Sequence, residues 1–143
     1  MFSHVTLGVS DLAAAGAFYD ALLLPLGLVQ RAVMPDGGPA SLCWHEPGIL
    51  LPRFYAYLPF DRQPCSAGNG TMVAFLAPSP DAVVQSHAGA VAAGGADDGP
   101  PGPRAQYGPD YFGAYLRDPD GNKVHIVYRG PATASAQAGN TAS

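Results

Sequence analysis

Residues 4–12 read His4-Val5-Thr6-Leu7-Gly8-Val9-Ser10-Asp11-Leu12, and this stretch decides the fold. Val5, Leu7 and Val9 alternate with His4, Thr6 and Gly8, the period of a strand with one apolar face. Ser10-Asp11 follows at once, and short oxygen-bearing side chains there accept the free N–H groups of a starting helix. Leu12, Ala15, Phe18 and Leu22 then recur at helical spacing, which predicts a helix to about Leu24, stopped by Pro25 and Gly27.

Working outward, short β-like runs are expected at Leu28–Met34, Ser41–His45 and Arg53–Leu58, separated by Pro35-Asp36-Gly37-Gly38 and Pro47-Gly48. The order then begins again. Thr71–Ala77 reads as a strand, and Ser79-Pro80-Asp81 as a helix start with proline at a favoured position. Val84, His87, Ala88 and Val91 form the expected helical stripe, and Gly94-Gly95 ends it. A loop, Gly99-Pro100-Pro101-Gly102-Pro103, leads to strands Tyr111–Leu116 and Lys123–Tyr128, joined by the turn Asp118-Pro119-Asp120-Gly121-Asn122. His4 and Met72 stand 68 residues apart, as do Gly27 and Gly95, which fits an internal duplication. The expectation is an α+β fold: two tandem βαβββ units forming a curved mixed sheet with helices on its outer face. The domain spans 1–129, with half-units of about 1–66 and 67–129, and residues 130–143 read as a disordered tail.

Composition narrows the function. Hydrophobic residues make up 48% of the 143, enough apolar surface for a core. Charged residues are 13%, about half of the usual ~25%, and the net charge is −4 with no Lys/Arg cluster, which argues against nucleic acid. Cys43 and Cys65 lack a C-x-x-C spacing and read as ordinary thiols of a reducing compartment. The N-terminus lacks a basic secretory region, and the longest apolar stretch, Leu12–Leu28, is broken by Asp20 and Pro25. A cytoplasmic protein without membrane contact is the default expectation.

Strand alternation places His4, Met72 and His125 on the concave face, with Gly8 and Ala74 leaving room beside them. Met72 reads more readily as apolar lining than as a ligand. Imidazole as a chemical group titrates near neutral pH, so His4 and His125 are the candidate bases. Arg53, Arg104, Trp44, Tyr55, Tyr57, Tyr107 and Tyr111 are candidates for the cavity mouth, where aromatic rings beside a cation suit flat, partly anionic molecules. Each also has a packing explanation on a half-buried sheet. His87 reads as helix packing, His45 as a turn residue, and Asp118, Asp120 and Asn122 as turn formers.

The opening motif at 4–12 and the closing motif at 118–122 resemble the vicinal oxygen chelate superfamily, which includes lactoylglutathione lyase, bleomycin-resistance proteins and extradiol dioxygenases. Pro101-Gly102-Pro103-Arg104, Tyr107 and Tyr111 resemble a bacterial glyoxalase-like subgroup. The resemblance covers residues 1–129. It implies metal ligands on the first and last strands of each half: His4, Met72 where histidine is usual, and His125 where glutamate is usual. The fourth position falls near Arg53–Leu58, a stretch without a carboxylate.

Two functions follow as expectations. One is a lyase or isomerase with catalytic His4 and His125, a divalent metal (zinc or another transition metal) on His4, His125 and Met72, and substrate contacts from Arg104, Tyr107, Tyr111, Trp44 and Arg53. The other is a metal-free protein binding a drug or metabolite. Both expect a small-molecule ligand, and a homodimer is expected because bare edge strands invite pairing.

Overall fold

The structure, a computed structural model, describes residues 1–131. The first half runs β1 (His4–Gly8), α1 (Leu12–Leu23), β2 (Val29–Arg31), β3 (Ser41–His45) and β4 (Arg53–Tyr57). The second runs β5 (Met72–Leu76), α2 (Pro80–Ala92), β6 (Ala96–Pro103), β7 (Phe112–Arg117) and β8 (Lys123–Tyr128). The expected sheet is divided in two, one per half: β1-β4-β3-β2 and β5-β8-β7-β6. In each, the first strand pairs in parallel with the last, and the remaining pairs are antiparallel. The duplication is thus real at the level of topology. His4 and Met72 open equivalent strands with the same alternation of exposure.

The start signals act as expected. Asp11 caps α1 by accepting from the N–H groups of Ala13 and Ala14, and Ser79 caps α2 through Ala82. Gly27 ends the first helix in the left-handed region at φ 91°, after a 3₁₀ turn, Leu24–Leu26. One shared core joins the halves. Phe18, Tyr19, Leu22 and Leu23 of α1 pack with Trp44 and Phe54, and Phe54 meets Phe75 of β5 edge-on at 5.1 Å.

Two expectations need correction. The stripe on α2 has the right period and the wrong phase: Ala82, Val83, Ser86 and Ala90 are buried, while Val84 and Val91 are exposed. Small residues face inward because the helices approach closely, with the Ser86 hydroxyl donating to the Leu22 carbonyl and Gly89 set against Ala21. His87 accordingly reaches Asp97 at the surface, at 2.9 Å. The stretch expected as a loop at 99–103 is the end of strand β6. Its prolines are tolerated because β6 is an outer strand, paired only with β7 and interrupted by register shifts. The expected tail lies outside the described residues beyond 131.

The turn at 118–122 does more than reverse the chain. Asp118 Oδ1 accepts from the N–H groups of Asp120 and Asn122, each at 2.9 Å. Its Oδ2 accepts from the Tyr19 hydroxyl at 2.7 Å and the Asn122 amide at 2.8 Å. Asn122 donates its other amide hydrogen to the Gly8 carbonyl at 2.9 Å, and the Ser10 N–H donates to Asp120 at 3.0 Å. The second-half turn therefore staples the β1–α1 junction of the first half. Both motifs that open and close the domain are parts of one buried polar network.

Candidate functional site

The face of the first sheet turned away from its helix carries a cavity of about 440 Å³. Alternation along β1 and β4 puts His4, Thr6, Arg53, Tyr55 and Tyr57 on it, and β2 and β3 add Arg31, Ser41 and Cys43. The 31–39 segment forms its wall, including Val33, Met34 and Asp36. The rings of His4 and Tyr55 meet edge-on at 5.7 Å, and the His4 Nδ1 lies 3.0 Å from the Ser3 hydroxyl. The Arg53 Nε donates to the Leu50 carbonyl at 3.1 Å. Burial pushes the Cys43 thiol above its ordinary value, so it is a neutral wall atom rather than a nucleophile.

His125 sits elsewhere, on the corresponding face of the second sheet, and is buried. Its Nδ1 is 2.8 Å from the Ala114 carbonyl, which can only accept, so Nδ1 carries the proton. The Nε2 lone pair therefore receives the Tyr111 hydroxyl at 2.7 Å. The Tyr115 ring stacks on the imidazole at 4.1 Å, the Tyr111 ring lies near-parallel to it at 5.9 Å, and Tyr107 is tilted against Tyr111 at 5.1 Å. Arg104 and Lys123 lie over the Tyr115 ring, and Arg129 over Tyr111. Burial lowers the His125 imidazole below its ordinary value, and Arg104, Arg129 and Lys123 push the same way. Burial likewise raises the Tyr111 phenol. At neutral pH the pair is a neutral imidazole accepting from a neutral phenol.

The sequence-selected residues thus divide between two places. His4 and Arg53 share the first-half cavity; His125, Arg104, Tyr107 and Tyr111 share the second-half ring stack. Met72 stands half-exposed at the start of β5, in register with Lys123. Trp44 joins neither group: it is buried on the helix-facing side, and its indole donates to Asp20 at 2.9 Å. A metal centre needs lone pairs converging on one point. Tyr111 occupies the one available on His125, His4 lines a different cavity, and among the described residues no three His, Cys, Asp or Glu side chains gather. Within one chain the set does not fit a metal centre in this arrangement.

Three features of the site lie beyond the residues that the sequence singles out. Arg31 points into the cavity from a three-residue strand too short to show a period. Tyr115 is in register with His125, which parity along β7 would have revealed. The segment 58–65, with Gly37–Ala40, encloses a larger space of about 750 Å³ that ends at Cys65. The Cys65 thiol donates to Asp120 at 3.5 Å, and burial together with that carboxylate raises it above its ordinary value.

The family profile described as Glyoxalase/Bleomycin resistance protein/Dioxygenase superfamily matches residues 1–126. The chain belongs to that superfamily. This superfamily member is similar to the solved structure of a glyoxalase/bleomycin resistance protein from Albidiferax ferrireducens T118, with 39% identity over 91% of this chain and 99% of that one, at a TM-score of 0.77. It shares its fold with a glyoxalase-related enzyme from Fulvimarina pelagi, at 21% identity, 90% and 88% coverage and a TM-score of 0.67. The fold also matches a lactoylglutathione lyase from Agrobacterium tumefaciens, at 19% identity, 90% and 93% coverage and a TM-score of 0.61. A comparison with curated proteins returns no match. Among the described residues no helix is long and apolar enough to cross a membrane.

Proposed function

We propose that this glyoxalase-superfamily chain binds a small organic molecule in the first-half cavity, as a metal-free drug- or metabolite-binding protein of the bleomycin-resistance type. The observation that carries the reading is the contrast between the two faces. The His4 cavity is open and lined by hydroxyl, aromatic and cationic side chains, while His125 is closed over by Tyr111. A volume of about 440 Å³ lies within the ~300–1,000 Å³ typical of small-molecule sites. Amide chemical-shift mapping against a library of aromatic fragments tests it. Shifts clustered at residues 4–6, 31–36 and 53–57 support the reading; shifts confined to other surfaces refute it.

The alternative is a metal-dependent lyase or isomerase with His4 and His125 as ligands and bases, Met72 as a third ligand, and Arg104 and Tyr107 as substrate contacts. The two imidazoles on equivalent faces favour it. It requires Tyr111 to release the His125 lone pair, so Tyr111→Phe should then raise zinc uptake, read by titration with elemental analysis. The binding reading expects no stoichiometric zinc in either form.

A homodimer belongs to both readings. β1 and β5 are outer strands, each hydrogen-bonded on one side only, and such edges attract a further strand.

A further inference from the structure

Two guanidinium groups, Arg31 at the end of β2 and Arg53 at the start of β4, line the same cavity. Neither has a carboxylate partner among the described residues, whose ion pairs involve His87, Arg117 and Lys123. Arg53 uses only its Nε on the Leu50 carbonyl, which leaves its terminal nitrogens free to donate. The one acidic side chain in the wall, Asp36, accepts from the Gly38 N–H at 2.8 Å within its own turn. Hydroxyl groups of Thr6, Ser41, Tyr55 and Tyr57 complete the lining. The chain as a whole is acidic, with seven Lys/Arg against eleven Asp/Glu. Two guanidinium groups without an ion-pair partner at one small cavity therefore run against the molecule's own charge.

We propose that the cavity selects a flat organic anion, its carboxylate or phosphate held by Arg31 and Arg53 and its ring set against His4 and Tyr55. The planar guanidinium fork donates two parallel hydrogen bonds to either oxyanion, and an edge-on imidazole and phenol leave ring faces for an aromatic body. The proposal rests on the small-molecule reading above and adds its charge class.

Isothermal titration of the full chain with benzoate, phenyl phosphate and the neutral benzyl alcohol, with amide shifts recorded in parallel, tests it. Either anion should bind at least roughly tenfold tighter than the alcohol, since a charge-assisted hydrogen bond is worth about that factor. The stronger of benzoate and phenyl phosphate identifies the anionic group. Arg53→Gln and Arg31→Gln should each remove most of that preference, and Arg53→Lys should restore part of it, which separates charge from folding. If alcohol and anions bind alike in the cavity, the charge class is wrong and the small-molecule reading stands. If no probe moves resonances of the cavity residues, both fail.

Discussion

Asp118 carries more of the fold than its place in a turn suggests. Its carboxylate receives four hydrogen bonds while buried, and one donor, Tyr19, belongs to the other half. Burial and the neighbouring carboxylate both keep the Tyr19 phenol protonated, as its donor role demands. Removing the acceptor strands buried donors, so Asp118→Ala should cost about 3–5 kcal/mol in urea unfolding. Tyr19→Phe should cost about 1.5–3 kcal/mol, the worth of a hydrogen bond to a charged group. His125 makes a second residue-level test through pH. Its folded pKa is depressed, so at mildly acid pH the unfolded chain binds the additional proton. Its contribution is present above the ordinary imidazole value of ~6.5 and is lost as pH falls through the depressed folded value. The urea midpoint should fall between pH 7.5 and 5.5, roughly the span of that titration, and fall less in His125→Gln. The sequence made His4, His125 and Arg53 visible because strand parity assigns a face to each. Parity cannot show that a tyrosine fourteen positions earlier covers one of them.

At the scale of elements, close approaches explain both what was readable and what was not. Caps, alternation and the turn at 118–122 are local signals, and they placed both helices and most strands. The inner face of α2 has a weak signal in the sequence because Val83 is its one large apolar residue, and Ala82, Ser86 and Ala90 fit the close approach of the helices. Strand β6 is hidden in the sequence because its glycines and prolines resemble a loop, and its position at the sheet edge permits them. Gly113 on β7 tests the ring stack through the element that holds it. A Cβ there would lie 2.7 Å from the His125 ring and 3.0 Å from the Ile126 carbonyl. Gly113→Ala should therefore destabilise the fold by about 1–3 kcal/mol and alter the near-ultraviolet dichroism of Tyr111 and Tyr115. An unchanged spectrum and midpoint would mean that β7 yields without disturbing His125.

In the whole molecule, the two sheets share a core through their helix-facing sides, and their outer strands β1 and β5 remain unpaired at one edge. Sedimentation equilibrium should give twice the 14.7 kDa of one chain, with dissociation on introducing charge along the outer strand β5 through Met72→Lys. A monomer across the micromolar range would remove the homodimer from the account. The scarcity of charge seen in the sequence also takes on a location. Arg31 and Arg53 line one cavity, and Arg104, Lys123 and Arg129 lie against the tyrosines on the other face, while acidic side chains hold turns and caps. On the proposed function the first-half cavity, not His125, receives the small molecule. A crystal structure with the tightest-binding aromatic anion tests it most directly. Ligand density should lie between Arg31, Arg53, His4 and Tyr55 with the Tyr111–His125 hydrogen bond intact; density against His125, with Tyr111 displaced, would mean that the second-half face is the binding site.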